Sequence, residues 1–196
     1  MNSLAIPGSK GKLKVRDLVS TDLPFIIDYW TKADPAFLFR MGVAPHRVPN
    51  AEEWRVSLLE NAATPDPKKT FCPMVWDVDG SPVGYSTLKR IRHGLEGEIH
   101  LHMWQVDARK RGFGIFLFAY TAIHFFDRFG LQLIACEPSP GNPAPNRLLQ
   151  KLGFQPVKTY RTVPSELCDE VEVNRYELRR EPLIRACEKI GSGFAI

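Results

Sequence analysis

The stretch from Gly97 to Gly114 concentrates the chain's chemistry. Glu98, His100, His102 and Trp104 fall at alternate positions, so on a strand they share one face. A carboxylate and two imidazoles on one face are suited to moving a proton near neutral pH. Directly after them comes Arg109-Lys110-Arg111-Gly112-Phe113-Gly114, followed by a long apolar run. A basic, glycine-containing turn that opens a helix gathers free backbone N–H groups and cations around one point. That arrangement suits the pyrophosphate of a coenzyme. Each candidate also has a plainer reading. Glu98 is either a general base or a strand-end carboxylate in an ion pair. His100 and His102 are either proton carriers or hydrogen-bonded structural histidines. As a metal pair they lack an evident third ligand, so no metal is expected.

These residues need a sheet to hold them. Strands are predicted at Lys12 to Leu18, Phe71 to Val78, Pro82 to Ile91, Glu98 to Val106, Leu131 to Glu137, Gln155 to Thr162 and Glu170 to Arg180. Asp79-Gly80 is a strong hairpin signal between the second and third. Helices are predicted from Pro24 to Lys32, Ala51 to Ala63, Phe113 to Phe129, through the segment ending at Lys151, and from Leu183 to Ile190. Asp34-Pro35 and Ala44-Pro45 read as interruptions. In the Phe113 helix, Thr121, His124 and Arg128 form one narrow polar stripe on an apolar cylinder, and Gly130 ends it. The order implies an α/β (α+β) fold, a mixed sheet covered by helices on both faces.

Composition narrows the function classes. The 196 residues suit a single domain, with a core over about 13–179 and a C-terminal helical extension. A formal net charge of +4 fits an anionic small ligand and is modest for a nucleic-acid binder, so no nucleic acid is expected. The four cysteines, Cys72, Cys136, Cys168 and Cys187, show neither disulfide-framework nor zinc spacing. Met1 to Lys12 lacks a signal-peptide apolar core, and the apolar run Ile115 to Phe126 is too short to span a bilayer. A cytoplasmic protein with no membrane partner is the expectation.

Two segments together resemble the GNAT superfamily of acyl-CoA-dependent N-acyltransferases, in particular its ribosomal-protein N-terminal and small-amine acetyltransferase branch. Arg109 to Gly114 is similar to the family's Q/R-x-x-G-x-G/A loop between a strand and a helix. Asn142-Pro143-Ala144-Pro145-Asn146-Arg147-Leu148-Leu149-Gln150-Lys151-Leu152-Gly153-Phe154 resembles its later N-x-x-S-x-x-x-x-x-K-x-G-F block. A dinucleotide fingerprint would need glycine where Leu117 stands, and no Walker lysine follows the first glycine.

The resemblance implies a mostly antiparallel sheet with a splayed cleft between the fourth and fifth strands, Met103–Val106 against Leu133–Glu137, where the pantetheine of acetyl-CoA inserts. Backbone groups near Met103, Trp104 and Val106 are then implied to meet its amides. The loop Arg109, Lys110, Arg111, Gly112, Phe113, Gly114 and Ile115 takes the pyrophosphate, and Asn142 and Asn146 belong to the coenzyme contacts. Glu98, eleven positions before Arg109, falls at the offset of the catalytic glutamate of histone-type members. Glu137, at the cleft mouth, is either an acceptor-binding carboxylate or base, or a strand-end salt bridge. The family's tyrosine or serine that reprotonates the thiolate is replaced by Leu149 and Pro145, which leaves a dedicated general acid in question; either water serves, because a thiolate leaves readily, or Tyr160 or Ser139 reaches in from elsewhere, and the plainer and preferred readings of those two are a packed sheet tyrosine and a turn serine. The expected activity is N-acetylation of a primary amine, in a small molecule or at a protein N-terminus, by direct transfer in a ternary complex. The expected state is monomer or homodimer. The alternatives are a non-catalytic coenzyme-A-binding sensor or partner module and a siderophore-precursor N-acyltransferase.

Overall fold

The computed structural model describes residues 12–105, 107 and 112–190. Seven strands form one sheet: β1 (Leu13–Asp17), β2 (Phe71–Val78), β3 (Ser81–Arg92), β4 (Glu96–Met103), β5 (Leu133–Cys136), β6 (Lys158–Thr162) and β7 (Val171–Leu178), in the order β1-β2-β3-β4-β5-β7-β6. Neighbours are antiparallel except β4 and β5, which run parallel. Among the described residues, six α-helices cover it: α1 (Leu23–Thr31), α2 (Pro35–Arg40), α3 (Ala51–Ala63), α4 (Phe113–Phe129), α5 (Pro143–Lys151) and α6 (Arg180–Ile190). This is the mixed, mostly antiparallel sheet with helices on both faces that the sequence implies.

Two hydrophobic cores form, one on each face. The larger joins Leu13, Trp76, Leu88 and Ile99 of the sheet to Phe118, Phe125 and Phe126 of α4 and Leu183 and Cys187 of α6. The smaller joins Ile26 and Trp30 of α1, Leu38 of α2 and Leu58 of α3 to Tyr85 of β3. The helix α4 matches its predicted limits. Its polar stripe, however, is not all wet: Thr121 is fully buried, accepts from Trp76 Nε1 (2.8 Å) and donates to the Leu117 carbonyl (2.7 Å). The Asp34-Pro35 pair starts a helix instead of interrupting one. Asp34 Oδ1 accepts from the Ala36 N–H, and Pro35 occupies the first turn, where its missing N–H costs nothing.

The feature that makes room for a site is the brevity of the β4–β5 ladder. It matches Glu96 with Leu133, Gly97 with Ile134 and Glu98 with Ala135, and goes no further. β5 ends at Cys136, two residues before Pro138, which has no N–H to offer a ladder. β4 continues to Met103 with only β3 beside it, and ends before Trp104, earlier than the predicted limit at Val106, which lies outside the described residues. Opposite Met103 stands Gly84. A Cβ there would lie 2.4 Å from the His102 carbonyl oxygen and 2.9 Å from Met103 Cα, so only glycine lets β3 carry β4 at this point.

The helix α1 is seated by a buried charge cluster. Arg16 on β1 donates Nε to Asp77 Oδ2 (2.7 Å) and Nη1 to Asp22 Oδ2 (2.6 Å), with second bonds to both carboxylates. Asp22 is 2% exposed and Asp77 5%. Removing the guanidinium strands two buried carboxylates. We expect Arg16→Met to lower unfolding stability by about 3–5 kcal/mol in urea denaturation; a loss under about 1 kcal/mol, the usual value of a surface pair, would show that the cluster does not hold α1.

Candidate active site

Beyond the end of the ladder two cavities open beside β4. The first is a cleft of about 400 Å³ that runs from the N-terminus of α4, at Gly112, Gly114 and Ile115, past Arg147 and Lys151 of α5, to Met103 and His102. Gly112 begins α4 with φ +81°, a left-handed conformation that disfavours any side chain there. The first-turn N–H groups of this helix and its dipole favour an anion. Arg147 and Lys151, four apart on α5, add two cations to the same cleft.

The second cavity, about 110 Å³, lies under Trp30, Trp54 and Leu167, against Tyr85, Thr87 and His100. His102, Leu101, Met41, Asn142 and Pro145 line both spaces, so the cavities meet at that group. His102 is gripped by aromatic rings. Trp30 meets it edge-on at 4.9 Å, Tyr85 is tilted against it at 4.9 Å, and Tyr29 lies at 5.6 Å. The Tyr29 hydroxyl is 3.5 Å from Nδ1, long for a hydrogen bond. Trp30 Nε1 donates to the Tyr85 hydroxyl at 2.6 Å, fixing both rings. Burial, helped by neighbouring His100, holds His102 well below the usual histidine range, so its imidazole is neutral at physiological pH. Burial likewise pushes His100 down to about 3.

The other predicted residues are placed as follows. Glu98 shares the β4 face with the histidines but lies outside both cavities. It faces a separate recess with Arg92 and Arg175 and takes two bonds from Arg90 Nη1, at 2.9 and 3.1 Å. Its burial raises the carboxyl's proton affinity, and Arg90 opposes that. Four residues of strand, roughly 13 Å, separate it from His102, so the structure does not bring it to the junction. Glu137 reaches the wall of the second cavity but is 4% exposed in its side chain and paired, accepting from Arg175 Nη1 and the Tyr160 hydroxyl, each at 2.7 Å. That also commits Tyr160.

Met103 and Asn142 line the first cleft. Asn146 is nearly buried and engaged inside the protein: it donates to the carbonyls of Ser139 and Asn142 and accepts from Asn174 and Tyr176. The Trp104 indole turns to the other side, stacks on Phe25 at 5.8 Å and donates to the Pro82 carbonyl. Phe113 is buried in the larger core. Val106, Arg109, Lys110 and Arg111 lie outside the described residues. Arg147, Lys151, Tyr29 and Thr87 are site residues that the sequence reading passed over. The spacing of Arg147 and Lys151 on a helix after a strand was the one available signal.

Residues 12–155 match the acetyltransferase (GNAT) domain family. A sheet opened between a parallel pair, with a helix N-terminus at one end of the opening, is the architecture of an acyltransferase of this kind. The chain belongs to the GNAT acetyltransferase family. No curated protein sequence matches it significantly. Among solved structures it is similar to Mycobacterium smegmatis RimJ in complex with CoA-disulfide, with 18% identity and TM-score 0.73 over 96% of this chain and 93% of that one. It is also similar to spermidine N-acetyltransferase from Vibrio cholerae in complex with CoA and spermine, with 16% identity and TM-score 0.70 over 88% and 98%. A third is ribosomal-protein-S5-alanine acetyltransferase from Vibrio fischeri, with 14% identity and TM-score 0.71 over 92% and 98%. Among the described residues no helix is long and apolar enough to cross a membrane, and no group of three His, Cys, Asp or Glu could hold a metal ion.

The neutral histidines carry a pH signature. With folded values below 6.5, the unfolded chain binds protons that the folded chain does not, so stability is full above about pH 6.5 and is lost as pH falls. Each histidine contributes a slope of up to about 1.4 kcal/mol per pH unit. Denaturant titrations between pH 7 and 5 are expected to show this slope and to flatten in the double variant His100→Gln, His102→Gln. Equal slopes in the two proteins would contradict the buried, neutral state.

Proposed function

We propose that the protein acetylates a primary amine, with acetyl-CoA as co-substrate, by direct transfer across the junction at His102. The observation that carries this reading is that His102 lines both cavities. The cleft with Arg147, Lys151 and the start of α4 holds the coenzyme's phosphates, and its inner end brings the thioester to His102. The smaller cavity presents the amine from the opposite side. Attack of the free amine on the thioester carbonyl makes a tetrahedral intermediate whose N–H⁺ is far more acidic than an ammonium. A neutral imidazole beside it takes that proton. The aromatic grip holds the ring in position, and Tyr29 lies on the Nδ1 side.

Direct transfer is supported by the cysteines. All four are buried, and Cys136, which borders the smaller cavity, has its thiol pushed up to about 12 by burial, so it offers no thiolate to carry an acyl group. The two positions at which the family's general acid would stand are Leu149, fully buried, and Pro145. Tyr160 is held by Glu137, and Ser139 Oγ accepts from the Gly141 N–H within its own turn, so the thiolate is reprotonated by water, which the good leaving ability of a thiolate permits. Solved structures of similar fold that carry CoA support the choice of coenzyme.

Steady-state kinetics and calorimetry test the assignment. His102→Gln is expected to lower kcat by about 10²–10⁴-fold while acetyl-CoA still binds, and Glu98→Gln to leave kcat near the parent value. The double reversal Arg147→Glu, Lys151→Glu is expected to weaken acetyl-CoA binding by more than about tenfold. An unchanged kcat in His102→Gln, or a collapse confined to Glu98→Gln, would overturn the role given to His102.

A further inference from the structure

The smaller cavity contains a polar pattern that the transfer chemistry does not use. Trp54 Nε1, Thr87 Oγ1 and His100 Nε2 are buried atoms without a hydrogen-bond partner, and all three side chains line this one space. Buried polar atoms are nearly always paired, so a set of three around one cavity marks a surface made to be completed by something else. The set is ordered. Thr87, only 3% exposed, is matched with His100 across β3 and β4, so the two side chains stand side by side on the same face of the sheet. Trp54 stacks on Trp30 with ring centroids 5.9 Å apart, and Trp30 in turn meets His102 edge-on. The three side chains therefore flank the space next to the proposed proton acceptor.

Size and charge limit what completes them. At about 110 Å³ the cavity is smaller than the roughly 150 Å³ apolar hole that admits benzene, so it takes a group of a few heavy atoms. Its described lining carries two formally charged side chains, and both are already compensated. Lys89 Nζ is 3.0 Å from Glu166 Oε2, and the Glu137 carboxylate is held by Arg175 and Tyr160. No open carboxylate waits for a second ammonium. A carboxylate on the ligand fares no better, because His100 is neutral. The hydrogen-bonding roles are also defined: an indole N–H only donates, whereas the threonine hydroxyl can accept and a neutral imidazole nitrogen can do either according to tautomer.

We propose that the acceptor carries, close to its amino group, a neutral planar group with both an accepting and a donating edge, of carboxamide size, and that Trp54, Thr87 and His100 read it. The carbonyl oxygen takes the Trp54 N–H, and the amide N–H₂ donates to Thr87 Oγ1 and His100 Nε2. This rests on the amine-acetylating reading above. A branched aliphatic group of the same shape fits the space but leaves three desolvated polar atoms unmatched. Sites built to hydrogen-bond a substrate discriminate strongly against such analogues. A linear polyamine brings charge to a place with no counter-charge.

The test compares near-isosteric acceptors with full-length protein and acetyl-CoA. 3-Aminopropanamide is set against 3-methylbutylamine, spermidine is run beside them, and two short peptides differing only in an N-terminal Asn or Leu form a second arm. The expected result is a kcat/KM at least tenfold higher for the carboxamide member in at least one arm, with spermidine below it. The arm with the greater rate tells whether the group is presented by a small molecule or by a protein N-terminus. In Thr87→Val and in His100→Phe the carboxamide-to-aliphatic ratio is expected to fall toward one. Acceptor-induced quenching of Trp30 and Trp54 fluorescence in the CoA complex supplies a readout independent of turnover.

Equal or better use of the aliphatic members or of spermidine overturns the proposal and leaves the acetyltransferase reading standing. The same holds for a ratio that neither variant changes, and for acetyl-CoA binding without turnover or quenching by any carboxamide acceptor. Failure to bind acetyl-CoA at all overturns the underlying reading, and the proposal with it.

Discussion

Everything at the site follows from where one backbone ladder stops. β4 and β5 pair at three positions and then part, because β5 is short and runs into Pro138 while β4 continues along β3. In a continuous sheet the two faces would be sealed from each other. Here the opening connects them, and a side chain at the gap can serve both. His102 occupies that position by register: the alternation along β4 turns it toward α1, while Leu101 and Met103 face α4. The close passage of β3, allowed by Gly84, keeps this part of β4 straight without β5 beside it.

The two faces are built for different tasks. On one, the long apolar helix α4 brings its N-terminus to the mouth of the cleft, and α5 supplies Arg147 and Lys151, so positive potential comes from rigid elements. On the other, α1 and α3 bring aromatic rings over β3 and β4. The buried Arg16 cluster seats α1, and α1 carries Tyr29 and Trp30, so a charge network at the sheet edge fixes the rings that grip the imidazole. Elsewhere Ser86 Oγ is also a buried atom without a partner, but the other buried polar groups near the site are engaged. Trp76 finds Thr121, Trp30 finds Tyr85, and Asn146 is a hub for four partners. Against that background the three orphaned atoms beside His102 stand apart.

Much of the fold was legible in the sequence because its strongest signals are local. The helix Phe113 to Phe129 is defined by an apolar cylinder and a terminal Gly130, and the β2–β3 hairpin by Asp79-Gly80. The misreadings have local causes too. Asp34-Pro35 is ambiguous between a break and a helix start, and tertiary packing chose the latter. Trp104 and Gln105 have strand-like composition, yet the ladder of β4 ends at Met103 opposite Gly84, and past it a single backbone bond, from the Gln105 N–H to the Val83 carbonyl, ties the chain to β3. The stripe Thr121–Arg128 reads as wet by periodicity, but a tryptophan on a distant strand offered Thr121 a buried partner. The site was legible only along single elements. That Glu98, His100 and His102 share a face could be read; that Glu98 answers to Arg90 and His102 to a ring of aromatics could not, because those partners come from other strands and helices. Thr87 and Trp54 lie far apart in sequence and meet only through the register of β3 with β4 and the packing of α3.

The separate cores on the two faces bear on how this chain could change over time. The larger one packs α4 and α6 against the sheet, whereas the smaller one includes segments from α1, α2, α3 and Leu167–Cys168. Away from the gap, the sheet stands between them, so a side chain exchanged in one core leaves the packing of the other in place. At the gap this separation ends: Tyr29 and Met41 pack with the smaller core and also line the cleft beside α4, so drift at those two positions is felt in both spaces at once.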